Sequence, residues 1–414
     1  MKKALNFFSF LIIILPIALV TGPFFSDLIV SVSAIFFIFY CIKNDNFKYF
    51  NNLYFKFFFL FWVYIIVCAF FSEKIYVSLK SATPYIRFGI FTVFVLFLVN
   101  ETKNFLKRFS ISFLIFYCIV LFDSYFQFVF GYNILGFESP VKNRLSSFFG
   151  DEMVVGSFLS RLFPLVLFCI LYLSTKYTQK IKYLSPTLLV LVDVIIYLSG
   201  ERTSFGILLI INVGFIILIN QMKFLRLVTF LISIILIGLI SFSNNVVKDR
   251  MIDQTIKDIG LKKDKVYLFS NIHQDHYETA YKIFKDNILI GVGPKMFRYE
   301  CANKKYESGK YSCTTHPHHL HLQILSETGI IGYFFLLSAM FWIIKKFLYS
   351  IYLNYYKKSY IDNLDLQNCI LIGVFINLFP FLPSGNFFNN WLSIVYFLPL
   401  GFYYLNKNQH VLFK

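Results

Sequence analysis

The sequence predicts an all-α polytopic membrane protein with about twelve transmembrane helices and one large extracytoplasmic loop. Three observations carry this. The 414-residue chain is 57% hydrophobic and only 15% charged, with a mean hydropathy of +0.65. No soluble fold hides that much apolar surface. Twelve apolar runs are long enough, or nearly so, for the ~20 residues a span needs. Basic residues gather in alternate short segments between those runs.

The runs cover about 4–22, 27–42, 53–71, 85–99, 109–130, 153–173, 185–200, 204–220, 224–243, 329–347, 368–384 and 391–406. They divide the chain into helices 1–9 within 1–243, a polar segment at 244–328, and helices 10–12 within 329–414. Met1-Lys2-Lys3 and the run behind it resemble a signal peptide. No small-residue cleavage pattern follows, so the run reads as the first span.

Orientation follows from charge. With the N-terminus inside, the cytoplasmic segments hold Lys2, Lys3, Lys43, Lys48, Lys103, Lys107, Arg108, Lys176, Lys180, Lys182, Lys223, Arg226, Lys345, Lys346, Lys357, Lys358, Lys407 and Lys414. The opposite short loops hold only Lys74, Lys80, Lys142, Arg144 and Arg202. This asymmetry places both ends in the cytoplasm and 244–328 outside. It also accounts for the net charge of +17: the cations flank membrane runs, so nucleic acid is excluded as a partner. Many of the 55 Phe and 28 Tyr residues are expected at lipid or at the interfaces.

The long segment is mixed in charge. Tyr277–Asp286 reads as a short helix with Tyr277, Ala280, Tyr281 and Phe284 on one face, and Gly291-Val292-Gly293-Pro294 breaks it. Cys41, Cys68, Cys118, Cys169 and Cys369 lie in or beside apolar runs and read as packing. Cys301 and Cys313 lie in the polar loop, where an oxidising compartment favours a disulfide.

Candidate chemistry clusters at Thr314–Gly332, where His316, His318, His319, His321 and Glu327 meet an apolar run. Titratable groups at a membrane edge are costly and mark function. Simpler readings are adventitious metal binding or structural zinc, but spaced Cys/His pairs are absent. The sharper reading makes one imidazole a general base for a sugar hydroxyl, with Glu327 as a distant candidate to orient it. Arg202, in Ser199-Gly200-Glu201-Arg202-Thr203-Ser204, reads either as a snorkelling turn residue or as an anion site, since its fork matches phosphate. Arg144 opens Arg144–Asp151 in another outer loop. Arg87 and Arg161 fall inside apolar runs and need a partner, with Asp151, Glu152 or an anion as candidates. Arg250 and Arg298 belong to the long loop. Paired glycosidase carboxylates, a P-loop and a G-x-S-x-G elbow are all absent.

These residues resemble the O-antigen ligase and polymerase superfamily of bacterial envelope glycosyltransferases. The resemblance rests on Asp286–Arg298 continuing to His316-Pro317-His318 and Gln323–Gly332, on Ser199–Ser204, and on Arg144–Gly150. It implies a GT-C-like membrane fold in the bacterial inner membrane, with the site facing the periplasm. It implies inverting, metal-independent glycan transfer from undecaprenyl diphosphate to a sugar hydroxyl, without a cofactor. The acceptor would be lipid A–core or another glycan. A polymerase, which extends one lipid-linked glycan with another, is the alternative. By this likeness His318 is the catalytic base and Arg202 binds the diphosphate, helped by Arg298, Arg144 or Arg250. The family usually has Asn after its histidine; here it is His319, which keeps His316, His319 and His321 as rivals. A multispanning transporter is the reading from another class, but no half-to-half match accompanies the outer-edge cluster.

Overall fold

In lipid a backbone must satisfy its own hydrogen bonds, so apolar runs become helices. The structure, a computed structural model, describes residues 2–141, 144–258, 269–357 and 363–404. Lys142, Lys358, Lys407 and Lys414, which the charge asymmetry counts, lie outside the described residues, as do the tail of the last run and the Lys182 side chain.

Among the described residues every named element is helical. The helices are α1 (Lys2–Ala18), α2 (Pro23–Lys43), α3 (Leu53–Phe70), α4 (Ile75–Ala82), α5 (Ile86–Glu101), α6 (Phe105–Phe130), α7 (Val155–Lys176), α8 (Lys180–Leu198) and α9 (Arg202–Leu218). They continue with α10 (Lys223–Ser243), α11 (Asn245–Lys248), α12 (Gln254–Asp258), α13 (Asn271–Asp286), α14 (Phe297–Glu300), α15 (Leu320–Ile351), α16 (Leu364–Leu378) and α17 (Asn390–Leu400).

Each of the twelve apolar runs falls on one of these helices. Among the described residues seven helical stretches are long and apolar enough to cross a membrane, among them Ile75–Glu101 and Leu320–Lys357. Shorter apolar helices include Arg202–Leu218, Leu364–Leu378 and Asn390–Leu400. The run expected at 85–99 begins earlier: α4 leads into α5 through the turn Thr83–Tyr85, because Tyr76, Leu79 and Ala82 continue its apolar character.

The most buried helix is α7, which packs on α6, α8, α9 and α16. Its neighbours keep large side chains outward, such as Phe122, Leu191 and Val213. Outward Phe and Ile are stable only against lipid, which is how the chain affords so much exposed apolar surface.

Polar connections between the helices collect at their ends. At one end Asp365 accepts from the Asn220 and Gln221 N–H groups at 3.1 and 2.8 Å, and Lys48 pairs with Glu101 at 3.1 Å. The other end holds α11–α14, the break in α15, and the loop between α16 and α17. The candidate site is built there.

Candidate active site

The site rests on a broken helix. α15 starts at Leu320, but Gly329 has φ 66° and ψ −170° and interrupts it. Backbone groups freed at the break pair with the chain after α13. Val292 N–H donates to Ser326 O (3.0 Å), Gly293 N–H to Glu327 O (2.8 Å), and Ile330 N–H to Ile288 O (2.8 Å). The approach is close. A Cβ on Gly291 would sit 2.4 Å from the Glu327 carbonyl carbon, and one on Gly329 would sit 2.3 Å from the Leu289 carbonyl. Both residues have positive φ, so glycine is required twice over. The Gly291–Pro294 breaker is therefore the dock that holds the loop to the membrane helix.

Glu327 belongs to this dock. It is fully buried and accepts from Phe297 N–H at 3.1 Å and Gln323 Nε2 at 2.9 Å. It anchors the loop and does not orient a histidine, contrary to the sequence expectation. Cys301 and Cys313 are joined, with Cα atoms 4.9 Å apart. This bond ties the turn after Arg298 to the strand of loop before His316.

The imidazoles fall into two groups. The His319 Nε2–H donates to Pro380 O at 2.9 Å, which leaves Nδ1 to accept from Leu322 N–H at 3.4 Å and cap α15. The His321 Nε2–H donates to Leu378 O at 2.8 Å, and its Nδ1 accepts from the Tyr333 hydroxyl at 3.1 Å. A carbonyl only accepts, so these bonds fix both tautomers and use both nitrogens of each ring.

His318 is different. Among the described residues no hydrogen bond engages its ring nitrogens, although its backbone is held: Ser384 N–H donates to its carbonyl at 2.9 Å. Its φ is +54°, an uncommon conformation for a non-glycine residue, of the kind concentrated at functional sites. Its ring centroid lies 4.0 Å from His316, 5.3 Å from His276 and 5.7 Å from His273. Burial, then the neighbouring His273, lowers the His318 pKa to about 4. Burial, then His318, lowers His276 to about 4 and His316 to about 3. All three rings are therefore neutral at pH 7.

His273 and His276 come from α13 and were not singled out by sequence. The helix buries His276, Tyr277, Thr279, Ala280 and Ile283, and Tyr281 is exposed. The expected face through Tyr281 and Phe284 is thus rotated toward Ile283. A His at 276, one before Tyr277 and four before Ala280, was the available signal.

The arginines surround this cluster. Arg202, at the start of α9, pairs with Asp258 at 2.8 Å. It also lies near enough to His273 to lower that pKa, after burial and His276. Arg250 donates from Nε to Gly200 O at 3.2 Å, so it sits beside the Arg202 loop. Its pKa is lowered by burial, then by Arg202 and Arg144. Arg144 donates to Met153 O at 2.7 Å. Glu201 accepts from Gly156 and Ser157 N–H at 2.7 and 3.0 Å and caps α7. Arg202, Arg144 and Arg250 therefore lie near one another, and Arg298 lies near His316.

Arg87 and Arg161 have partners other than those expected. Arg87 pairs with Asp27 at 2.7 Å, and Arg161 bonds Asn377 and the Ser157 hydroxyl. Neither uses Asp151 or Glu152, because the helix packing brings α2 and α16 closer. Among the described residues no three His, Cys, Asp or Glu side chains are grouped to hold a metal ion. An apolar crevice of about 350 Å³ lies below the histidines, lined by Phe61, Ile324, Phe335, Trp342, Leu378 and Tyr404 among others.

Fold and site together define a polytopic helical membrane protein with neutral imidazoles and guanidinium groups gathered at one end of its bundle. Residues 186–337 match the O-Antigen ligase family. The match covers less than half of the chain but includes Arg202, Arg250, Arg298 and His318. It supports the O-antigen ligase superfamily, and with it a ligase- or polymerase-type role in polysaccharide assembly. No match was found among curated proteins.

Proposed function

We propose that the chain is a glycosyltransferase that moves a glycan from a polyprenyl diphosphate, undecaprenyl diphosphate in the bacterial case, to an acceptor sugar hydroxyl. One observation carries the assignment of the base. The His318 ring has unengaged nitrogens and lies, centroid to centroid, within 6 Å of three other imidazoles; its rivals His319 and His321 are tied up as structural donors and acceptors, and His316 has Nδ1 against the Thr315 hydroxyl at 3.0 Å and its Nε2 buried away from solvent. The Arg202, Arg144 and Arg250 group holds the diphosphate, because guanidinium forks donate paired hydrogen bonds to phosphate oxygens.

The acceptor O–H proton passes to His318 as the oxygen attacks the anomeric carbon. The bond from that carbon to the diphosphate breaks, and polyprenyl diphosphate leaves with the electron pair. A single displacement inverts the anomeric centre. Negative charge builds on the leaving oxygens, and fixed guanidinium donors in a partly dry site stabilise it. The same charge would raise the His318 pKa once donor is bound, making the ring a stronger base than in the free protein.

The Cys301–Cys313 bond supports an extracytoplasmic, periplasmic site in the inner membrane, since such bonds persist in oxidising compartments. Lipid A–core is the acceptor of a ligase and a second lipid-linked glycan that of a polymerase; both use this donor site. The test is a reaction of purified protein with a polyprenyl-diphosphate glycan and each acceptor, comparing wild type with His318→Ala. Equal transfer by the two proteins would overturn the proposal.

A further inference from the structure

Lys295 and Arg298 lie in the turn after Gly293, where Arg298 faces His316, while Arg202 faces His273. Their turn is clamped on three sides. Gly293 N–H and Phe297 N–H donate to Glu327 at 2.8 and 3.1 Å, and the Ser78 hydroxyl donates to Pro294 O at 3.1 Å. The disulfide fastens Cys301 to Cys313, with Arg298 three residues before one sulfur and His316 three residues after the other. Lys295 is held at φ +61°, a conformation that needs a compensating reason.

These two cations lack the carboxylate partner that Arg202 and Arg87 have. Arg202 has Asp258, and Arg87 has Asp27. Among the described residues neither Lys295 nor Arg298 has an ion pair, and the Arg298 Nε is buried with no hydrogen-bond partner. Glu327 and Asp27 are the carboxylates that act on Lys295, but Glu327 already accepts from Phe297 and Gln323 and Asp27 from Arg87 and Asn390. Burial and then Arg298 lower the Lys295 pKa. Two like charges held together and partly desolvated are relieved by a bound anion.

We propose that Lys295 and Arg298 form a second anion subsite that holds a phosphoryl group of the acceptor. The inference rests on the reading that Arg202 and its neighbours hold the donor diphosphate. It defines the acceptor class as a phosphorylated glycolipid, either a glycan on polyprenyl diphosphate or a phosphorylated lipid A–core. A neutral glycolipid carrying the same sugar is a poor acceptor.

The test uses full-length protein in nanodiscs of neutral lipid. Transfer is measured with one polyprenyl-diphosphate glycan donor and three acceptors: a polyprenyl-diphosphate glycan, lipid A–core bearing its phosphates, and a neutral alkyl glycoside of the same sugar. Lys295→Gln with Arg298→Gln is expected to raise the KM for the preferred phosphorylated acceptor about tenfold or more, the loss of at least one charge-assisted contact. Donor KM stays constant, and the preference over the neutral glycoside disappears. Lys295→Arg with Arg298→Lys, which keeps both charges, restores much of the loss and separates charge from folding.

Binding gives a readout without turnover. Wild type takes up a second equivalent of the phosphorylated lipid, undecaprenyl diphosphate or lipid A, and the Gln variant does not. The lipid for which this holds identifies the source. An unchanged acceptor KM, or saturation of wild type by a single equivalent in both arms, overturns the proposal. A raised donor KM in the Gln variant, with no effect of Arg202→Lys on donor, overturns the Arg202 reading instead.

Discussion

The His318 ring stands 5.7 Å from that of His273, and His273 in turn responds to the charge of Arg202. The proposed base and the proposed anion-binding guanidinium thus share one imidazole neighbour.

His318→Ala is expected to lower transfer ~100- to 10,000-fold, the usual loss of a general base, with thermal stability close to wild type. His319→Ala and His321→Ala should behave differently. Each strands buried carbonyl and N–H or hydroxyl partners, costing about 1–3 kcal/mol. Transfer rates set beside melting curves distinguish the two patterns.

The pH profile has a definite sign. With a His318 pKa of about 4 in the free protein, kcat/KM should hold steady down through pH 6 and fall only near pH 4. The limb in kcat should lie higher, because bound diphosphate favours the imidazolium. Stability moves the same way. Between about 4 and the ordinary value of 6.5 the unfolded chain binds more protons at His316, His318 and His276 than the folded one. Stability is therefore full above that window and declines as pH falls through it.

Arg202→Lys keeps charge but loses the fork. Donor KM is expected to rise about tenfold, roughly 1.4 kcal/mol, with acceptor KM unaltered. Initial rates at varied donor check this.

Gly291→Ala and Gly329→Ala each push a methyl into backbone 2.3–2.4 Å away at positive φ. A loss on the order of 3 kcal/mol or more is expected, with transfer falling as the loop lifts. Ala at Gly238, which has nothing within 4 Å of its Cβ position, serves as the control in thermal unfolding.

Removing the disulfide with Cys301→Ser and Cys313→Ser should cost about 3 kcal/mol, the chain-entropy value for a short loop. Calorimetry of oxidised and reduced protein gives the same difference. A thiol count that finds these two cysteines free in cells would argue against an oxidising environment.

Much of the fold was legible because lipid imposes a one-dimensional code: a run such as 109–130 has no alternative to a helix. The loop's dock was legible as a Gly-Val-Gly-Pro break but not as an anchor, because Gly291 meets Glu327 across 36 residues of chain. The partners of Arg87 and Arg161 were illegible for the same reason: Asp27 and Asn377 are brought in by helix packing alone. His318 and Arg202 were picked out by motif. The exclusion of His319 and His321 as free bases needed coordinates, since Pro380 and Leu378 reach them from the far side of the bundle's end. His273 and His276 were overlooked because Tyr and Phe in α13 satisfied the helical period without them.

The bond between Cys301 and Cys313 encloses Lys304, Lys305 and Lys310. A trypsin nick after any of these lysines yields two polypeptides that stay covalently joined, migrating as one band until a reductant is added. Each remains fixed by its own end, one through Gly293 and Phe297 on Glu327 and the other through the start of α15. Cutting this exposed stretch of the loop should therefore leave the imidazoles where they are.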